Sequence, residues 1–371
     1  MTNPKKLLVI AGGNYIFGAE KVTLDVIEGF SKNGYEVNAI ISGWGNGAFA
    51  KALDNLQIKY HKLKLGWYYV SKILWSLDSL VHYPGAILKF LRIRKNYKDW
   101  PVYIISFRQV ILLWPFFEKN IIYHIHDVNS NSRRSRFFIK IINRKVSRFI
   151  AVSNFIKRDL ILCGIGADKI EVIHNGIALP EKVGAPKKYM QENILHIGIV
   201  GQVIPRKGHE DIIEAINKIQ KEVNLRLYIF GDGSKEFKKE LEQKISGYNL
   251  TKRVEWMGFF ETRERIYEQL DLLVAPTRND EPFALVALEA GAFSIPSIVT
   301  KSGGFPESIN DGETGYVIEK ENVEQLAEKI ALFFKQPFLL EQMGLLARKR
   351  VFEKFNVVEM NKKLINIIEN N

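Results

Sequence analysis

The stretch "ILHIGIVGQVIPRKGHEDIIEAINKI", residues 194–219, decides the fold class. It opens with an apolar run typical of a buried strand, turns at Gly201 and Gly208, and continues with apolar residues at helical spacing. A strand, a glycine turn and a helix together form one repeating unit of a doubly wound α/β sheet. The sequence therefore predicts parallel strands joined by crossover helices.

The same alternation recurs on both sides of this stretch. Strand patterns such as "KLLVIAG", "NIIYHIHD" and "RFIAVSN" precede it, and "LRLYIFGDG" and "LDLLVAP" follow it. Between the two series, "LPEKVGAPKKYMQEN" reads as a linker rich in proline and lysine. We predict domains at 1–178 and 194–356, a linker at 179–193, and a last helix at 357–371 that packs back on the first domain. Two such domains would face a central cleft lined by the carboxyl ends of their strands.

The charge of the chain is unevenly distributed. Of the 53 Lys and Arg and 41 Asp and Glu residues, the first 180 positions hold 26 and 12, so the net charge of +12 lies entirely in that half. This asymmetry indicates an anionic partner, such as a membrane surface, or else a solvated basic face. Nucleic acid is disfavoured, because no recognised binding motif accompanies the charge.

Other features of composition favour the cytoplasm. The single Cys163 excludes an intrachain disulfide and any multi-cysteine metal site. The apolar run near the start is too short for a signal peptide or a membrane span, and it fits a buried first strand better.

The loop "AGGNYIFGAEK", residues 11–21, lies between the first strand and the first helix. Its glycines permit close backbone approach, and the following helix N-terminus favours an anion or a sugar hydroxyl. The loop lacks the GxGxxG pattern, and no acid ends the second strand, which disfavours a dinucleotide dehydrogenase. The alternative is a tight turn with no ligand.

The turn "GQVIPRKG", residues 201–208, places Arg206 and Lys207 just before a helix. Two cations beside a helix N-terminus suit a diphosphate group. The GxxxxGK[ST] pattern of a P-loop is absent, and a surface turn with two solvated cations is the alternative.

The stretch "EPFALVALEAG", residues 281–291, places a carboxylate inside an apolar helix. Pro282 suits the first helical position, so Glu281 falls at the boundary and Glu289 lies about two turns on. A buried carboxylate needs partners, and either a ribose diol or a buried arginine or backbone group would serve Glu289. The amides of the first residues after Pro282 would point at an anion.

His126 ends the strand pattern "NIIYHIHD". Because ligands bind at the carboxyl ends of parallel strands, His126 could contact a substrate, although a lone histidine is more often structural.

Taken together, these motifs resemble the retaining glycosyltransferases of family 4, which have the GT-B fold. The ExxxxxxxE element of that family appears as Glu281 to Glu289, and its GxxxxxKG turn appears as "GQVIPRKG". Further matches are "FGAE" at 17–20, "HIHD", "AVSN", "VIHNGI" and "GGFPE", in the family's order along nearly the whole chain.

The resemblance implies a nucleotide diphosphate sugar as donor, foremost a UDP-sugar. The first domain would bind the acceptor and the second the donor. Glu289 would hold the ribose, Glu281 the sugar hydroxyls, and Arg206 with Lys207 the leaving diphosphate. Neither a metal nor another cofactor is expected. Retention would follow front-face attack, and domain closure would exclude water.

The resemblance also assigns the site residues. The catalytic set is His126, Arg206, Lys207 and Glu281; the donor-binding set is Gly18, Gly201, Arg206, Lys207, Glu281, Phe283, Ala284, Leu285 and Glu289; the acceptor-side loop holds Gly13, Phe17, Gly18 and Ala19. Gln202 departs from the family, which often has arginine there, and this loss of a cation would weaken donor binding unless Arg206 compensates.

The acceptor should bind the first domain, where two stretches mix aromatic and basic residues. These are residues 62–100, with Trp67, Tyr68, Tyr69 and Trp75, and residues 133–149, with seven cations. Such helices can lie in an anionic membrane interface, or they are ordinary crossovers with basic outer faces. We expect a saccharide or lipid-linked acceptor of bacterial surface-glycan synthesis, at the inner face of the cell membrane.

Two rival functions fit the same motifs. A nucleotide-sugar epimerase of related fold would need no acceptor, and a non-catalytic partner subunit would not turn over a donor. The sequence does not specify the donor sugar, the base, the linkage or the oligomeric state.

Overall fold

The computed structural model describes residues 5–13, 15–16, 18–65, 73–118, 121–130, 132–180, 187–260 and 262–370, without the side chains of 73–76. It divides into two compact units, Met1–Ala178 with Val357–Asn371, and Leu179–Asn356. Phe17, and the aromatic side chains of positions 67–69 and 75, lie outside the described part of the chain.

The first unit contains a parallel sheet of seven strands in the order β3-β2-β1-β4-β5-β6-β7. The strands are β1 Lys5–Ile10, β2 Tyr35–Ser42, β3 Lys59–Leu63, β4 Val102–Ile104, β5 Ile121–Ile125, β6 Val146–Ala151 and β7 Ile170–Val172. The helices are α1 Gly18–Lys32, α2 Ala48–Asn55, α3 Ile73–Asn96, α4 Phe107–Leu113, α5 Arg133–Ile142 and α6 Asn154–Leu162.

The second unit contains a parallel sheet of six strands in the order β10-β9-β8-β11-β12-β13. The strands are β8 Leu195–Val200, β9 Leu225–Phe230, β10 Val254–Gly258, β11 Leu272–Ala275, β12 Ser297–Thr300 and β13 Gly315–Ile318. The helices are α7 His209–Ile219, α8 Lys235–Gly247, α9 Arg263–Tyr267, α10 Leu285–Ala292, α11 Phe305–Ser308, α12 Val323–Lys335 and α13 Phe338–Lys354, followed by α14 Val357–Glu369 of the first unit.

The central strands are apolar on both faces. Leu7, Leu8, Val9 and Ile10 of β1 are all fully buried, which is typical of a parallel strand covered by helices on each side. The predicted α/β class with two doubly wound sheets is therefore confirmed.

Each sheet has one point where its strand order reverses. In the first unit this point lies between β1 and β4, and in the second unit it lies between β8 and β11. Ligands of doubly wound sheets bind where the loops leave such a point. The loops after β1, β8 and β11 therefore lie where a ligand site is expected, and all three carry residues singled out in the sequence.

The last helix, α14, packs against α1 inside the first unit. Leu364 is fully buried, and the Asn361 amide Nδ2 donates a hydrogen bond to the Asp25 carbonyl over 3.0 Å. The helix thus completes the core of a unit from which it is separated in sequence by the whole second unit.

Leu364→Ala should lower the free energy of unfolding of the first unit by about 2–5 kcal/mol, because it leaves a cavity in the α14 contact. Urea unfolding would measure this loss. The exposed neighbour provides the control, Lys363→Ala, which should change the free energy by less than about 0.5 kcal/mol. Equal effects of the two substitutions would show that α14 does not contribute to the core.

Candidate functional site

The turn after β8 depends on glycine at two positions. Gly201 and Gly208 have φ angles of 147° and 73°, which other residues adopt only with strain. A Cβ atom at Gly208 would lie 2.0 Å from the Pro276 carbonyl oxygen. The turn after β8 therefore packs directly on the loop after β11, and residues 205–207 form a short 3₁₀ helix at this contact.

The loop after β11 fixes the backbone of Arg206. The Arg206 carbonyl accepts hydrogen bonds from the Arg278 amide over 2.9 Å and from the Thr277 hydroxyl over 3.0 Å. The Arg278 guanidinium in turn binds Asp211 with two hydrogen bonds and pairs with Glu210 over 2.9 Å. These carboxylates raise the pKa of Arg278. These backbone hydrogen bonds and ion pairs thus connect the loop after β11 to the turn after β8 and to the first turn of α7.

The carboxylate of Glu281 lies between the two predicted cations. Arg206 Nη1 is 2.9 Å from Oε1, and Lys207 Nζ is 2.6 Å from Oε1 and 2.8 Å from Oε2. The Thr277 hydroxyl lies 3.0 Å from Oε1, so it shares its single proton between this oxygen and the Arg206 carbonyl. Glu281 is 13% exposed and Arg206 is 43% exposed, so a ligand can approach the cations from solvent. One carboxylate against two cations leaves a net positive charge, which suits an anion.

The predicted helix start at Pro282 is wrong, because α10 begins at Leu285. The Glu281 carbonyl accepts a hydrogen bond from the Gly304 amide over 2.8 Å, so it does not bond a helical amide four residues on. Gly303 has a φ of 56°, and a Cβ there would lie 2.3 Å from the same carbonyl oxygen. The loop at 303–304 therefore holds Glu281 in an extended segment ahead of the helix.

The later start of α10 changes the surroundings of the residues whose amides were predicted to point at an anion. Phe283 is buried, with its ring 5.7 Å from that of Phe355, and Ala284 is the N-cap of α10. The Ala284 carbonyl accepts from the Ala287 amide. Within the described residues no acceptor bonds the amides of Leu285 and Val286, so these two amides form the open N-terminus of the helix.

Glu289 lies in the second turn of α10 and has protein partners. Arg263 Nε donates to Oε1 over 2.9 Å, and the Tyr267 hydroxyl donates to Oε2 over 2.9 Å. Tyr267 is fully buried, and burial raises its pKa well above 10, so the hydroxyl stays a donor. The structure thus contains the contact between Glu289 and an arginine that the sequence offered as one alternative.

His126 follows β5 directly and packs against another histidine. The ring centroids of His124 and His126 are 4.3 Å apart, and the Tyr103 hydroxyl and His124 Nδ1 form a hydrogen bond. Burial lowers the pKa of His126 to about 4, so its ring is neutral at pH 7. In the described part of the chain, no partner bonds its Nε2.

The loop after β1 approaches two neighbouring elements closely. A Cβ at Gly12 would lie 2.7 Å from Ser106 Oγ, and one at Gly13 would lie 2.8 Å from the Glu20 carboxylate. Gly18 and Ala19 are the first two residues of α1. The predicted acceptor-side residues, with Phe17 excepted, therefore lie at the switch point of the first sheet.

Four residues that shape the site were missed in the sequence. They are Arg263 and Tyr267, which hold Glu289, and Thr277 and Arg278, which hold Glu281 and Arg206. Arg263 and Tyr267 are four residues apart, and this spacing, which places both side chains on one face of a helix, was the feature of the sequence that could have indicated them.

The described residues contain neither a candidate metal cluster nor a helix that could span a membrane. No group of three or more His, Cys, Asp or Glu residues there could hold a metal ion. Within the same part of the chain, the helices are too short or too polar to cross a bilayer. The expectation that the reaction needs no metal stays a prediction.

Gly208→Ala should lower the free energy of unfolding of the second unit by at least about 2 kcal/mol, because its left-handed backbone and the Pro276 contact exclude a methyl group. Thermal unfolding would measure the loss. Gly247→Ala is the matched control, since a Cβ there meets no atom within 4 Å. A loss at Gly208 no larger than at Gly247 would contradict the close contact of the two loops.

Two family models match successive halves of the chain and together cover most of it. The model "Glycosyltransferase Family 4" matches residues 16–180, and "Glycosyl transferases group 1" matches residues 185–350. Among similar proteins, N-acetyl-alpha-D-glucosaminyl L-malate synthase of Bacillus anthracis is 33% identical over 162 residues, covering 44% of this chain and 41% of that enzyme. Poly(ribitol-phosphate) alpha-N-acetylglucosaminyltransferase of Staphylococcus aureus is 25% identical over 346 residues, covering 91% and 65%. The chain thus spans about half the length of the curated relatives that it matches.

The fold is also that of solved glycosyltransferase structures. The structure of Anabaena HepE in complex with UDP and glucose superposes with a TM-score of 0.82 at 21% identity, covering 99% of this chain and 100% of that one. This likeness shows the GT-B fold. The chain therefore belongs to the glycosyltransferases of the group 1 and family 4 type, with the GT-B fold.

Proposed function

We propose that the protein is a retaining glycosyltransferase that moves a hexose or N-acetylhexosamine from a UDP-sugar to a saccharide or lipid-linked acceptor in surface-glycan synthesis. The observation that carries the proposal is the pair Arg206 and Lys207, held by one carboxylate beside the open N-terminus of α10. Relatives support the same class, since one transfers N-acetylglucosamine to poly(ribitol phosphate) and another is a capsular polysaccharide glycosyltransferase.

The diphosphate of the donor would bind at the cations. Arg206 reaches solvent, and the amides of Leu285 and Val286, which follow Glu281 closely in the chain, add partial positive charge. During transfer the bond between sugar and diphosphate breaks, and negative charge develops on the leaving phosphate. Preorganised cations and amides stabilise that charge, which is the largest catalytic contribution in sites of this kind.

Glu281 would exchange partners when the donor binds. Its carboxylate now pairs with Arg206 and Lys207, and a diphosphate would compete for both cations. The released carboxylate oxygens can then accept hydrogen bonds from hydroxyls of the donor sugar. The Thr277 hydroxyl keeps the carboxylate in place during the exchange, since it also donates to Oε1.

Glu289 would bind the ribose hydroxyls through its carboxylate, which Arg263 and Tyr267 hold in position. The two protein donors keep the side chain in one rotamer, so little conformational entropy is lost when the ribose binds. Gly201, whose φ angle permits close backbone approach, would face the same nucleotide.

The acceptor would meet the first unit near the loop after β1 and His126. A neutral His126 ring can form a hydrogen bond with a sugar hydroxyl, and it places no charge beside that hydroxyl. We propose that the acceptor hydroxyl attacks on the face from which the diphosphate leaves, and that its proton passes to a leaving phosphate oxygen. This route gives retention, and it requires no nucleophile from the protein and no metal.

Turnover tests this proposal. The purified protein with UDP-glucose or UDP-N-acetylglucosamine and a saccharide acceptor should release UDP faster than without acceptor, and the product should keep the donor's anomeric configuration by NMR. Conversion of the UDP-sugar without acceptor would support an epimerase instead. Failure of UDP, GDP and ADP to bind in calorimetry would support a non-catalytic subunit.

Glu281→Gln should separate binding from transfer. It removes the negative charge from the two cations, so UDP should bind as tightly as to the wild type or more tightly. Transfer from a UDP-sugar should fall at least about 100-fold, because the sugar loses a charged acceptor. Calorimetry and initial rates measure the two quantities. Weaker UDP binding in this variant would contradict the competition for Arg206 and Lys207.

Lys207→Met is the complementary change. It should weaken UDP binding by about tenfold or more, since a hydrogen bond to a charged group is lost, and leave uridine binding unchanged. Lys301→Met is the matched control, because Lys301 pairs with Glu319 on an exposed surface. An equal loss for uridine and UDP would exclude Lys207 as a phosphate ligand.

Tyr267→Phe should reduce the preference of the protein for UDP over 2′-deoxy-UDP, because Glu289 loses a donor that orients it. Comparison of the two dissociation constants by calorimetry measures this preference. Tyr248→Phe makes the same change in a different apolar cluster and should leave the preference intact. An unchanged preference in Tyr267→Phe would exclude the ribose role proposed for Glu289.

A further inference from the structure

A basic pocket lies in the first unit, and residues of the loop after β1 are not among those that line it. It has a volume of about 360 Å³ and lies between the carboxyl ends of β2 and β3 and one face of α3. Its lining includes Gly43, Lys62, Lys64, His82, Gly85 and Lys89. The three residues of α3 follow one another at helical spacing, so they share a face of that helix.

The charge of the pocket is unbalanced. Three lysines line it, and its described lining includes no carboxylate. The nearby Asp78 lies 3.4 Å from His82 Nε2, and Lys64 Nζ lies 5.3 Å from the centre of the Trp44 ring. Confined like charges repel one another, and a bound anion removes that repulsion. The pocket is therefore suited to a phosphate group.

The same helix exposes a row of large apolar side chains. Leu77, Leu80, Val81, Leu88 and Leu91 are between 41% and 75% exposed, opposite the buried Ala86, Phe90 and Ile93. Their spacing of three, four or seven residues forms one stripe along three to four turns. A contiguous apolar stripe of this length on a helix marks an interaction surface.

The stripe and the pocket lie side by side. By helix geometry His82, Gly85 and Lys89 are rotated roughly a third of a turn from the centre of the stripe. Arg92 and Lys95 continue the stripe beyond Leu91 with positive charge. One helix thus offers an apolar face and, next to it, a cationic pocket, which is the arrangement that fits a lipid monolayer with anionic headgroups.

We propose that α3 docks this unit on an anionic lipid bilayer, with the stripe in the interface and a lipid phosphate in the pocket. Charge complementarity selects this partner over a second copy of the chain. The first 180 residues hold 26 Lys and Arg against 12 Asp and Glu, so two copies of this face would repel each other. The docking does not depend on the reaction proposed above.

Vesicle sedimentation tests the docking. The full chain should bind vesicles of phosphatidylcholine with about one third phosphatidylglycerol at about 0.15 M salt, and should not bind pure phosphatidylcholine. Lys64→Ala/Lys89→Ala and Val81→Ser/Leu88→Ser should each weaken binding by at least about tenfold. Calorimetry with UDP on the same variants reports separately on the donor site, which should be unaffected.

Two matched controls come from the second unit. Lys235→Ala/Lys239→Ala removes the same charge from α8, and Leu345→Ser/Leu346→Ser removes exposed leucines from α13; both should bind vesicles like the wild type. Equal losses in the controls would overturn the proposal, since only total charge or apolarity would matter. So would wild-type-like binding by either α3 variant.

Two further outcomes would also overturn the proposal. Inorganic phosphate that stabilises the wild type against heat but not Lys64→Ala/Lys89→Ala, without any vesicle binding, would assign the pocket to a soluble anion. Size-exclusion chromatography that shows a dimer dissociated by Val81→Ser/Leu88→Ser would assign the stripe to a second copy of the chain.

Discussion

The carboxylate of Glu281 accepts hydrogen bonds from Arg206, Lys207 and Thr277 at the switch point of the second sheet. The three donors come from the turn after β8 and the loop after β11, so this single group joins the two loops that leave the reversal of strand order. Two adjacent cations would repel each other without it. The roles proposed for the diphosphate and the donor sugar follow from this charge arrangement, because an incoming diphosphate must displace the carboxylate and thereby frees it for the sugar.

The backbone around this group explains why it can be held so firmly. Gly208 lets the β8 turn touch Pro276, and Gly303 lets the next loop touch the Glu281 backbone. Both contacts exclude any side chain. Glu289 is also held firmly, because its carboxylate accepts hydrogen bonds from Arg263 and Tyr267. Rigid support of charged groups by packed loops lowers the entropy lost when a ligand binds.

The sequence predicted the parallel sheets, because apolar strands and amphipathic helices alternate with clear periodicity. It also predicted that Arg206 and Lys207 lie at a helix N-terminus, which is local information. It did not predict that Glu281, 75 residues away, pairs with both, since that contact depends on which strands become neighbours. The predicted start of α10 was wrong for a related reason. The amide of Gly304, which is distant in sequence, donates a hydrogen bond to the Glu281 carbonyl, which would have accepted a helical hydrogen bond if the helix began at Pro282. Arg263 and Tyr267 were missed because α9 has only five residues and a weak pattern.

A crystal structure of the complex with UDP would show whether the diphosphate displaces Glu281. We expect the diphosphate to lie against Arg206, Lys207 and the amides of Leu285 and Val286, with the Glu281 carboxylate out of contact with Arg206. The ribose hydroxyls should lie within hydrogen-bond distance of Glu289. A diphosphate bound elsewhere, with both ion pairs of Glu281 intact, would contradict the account.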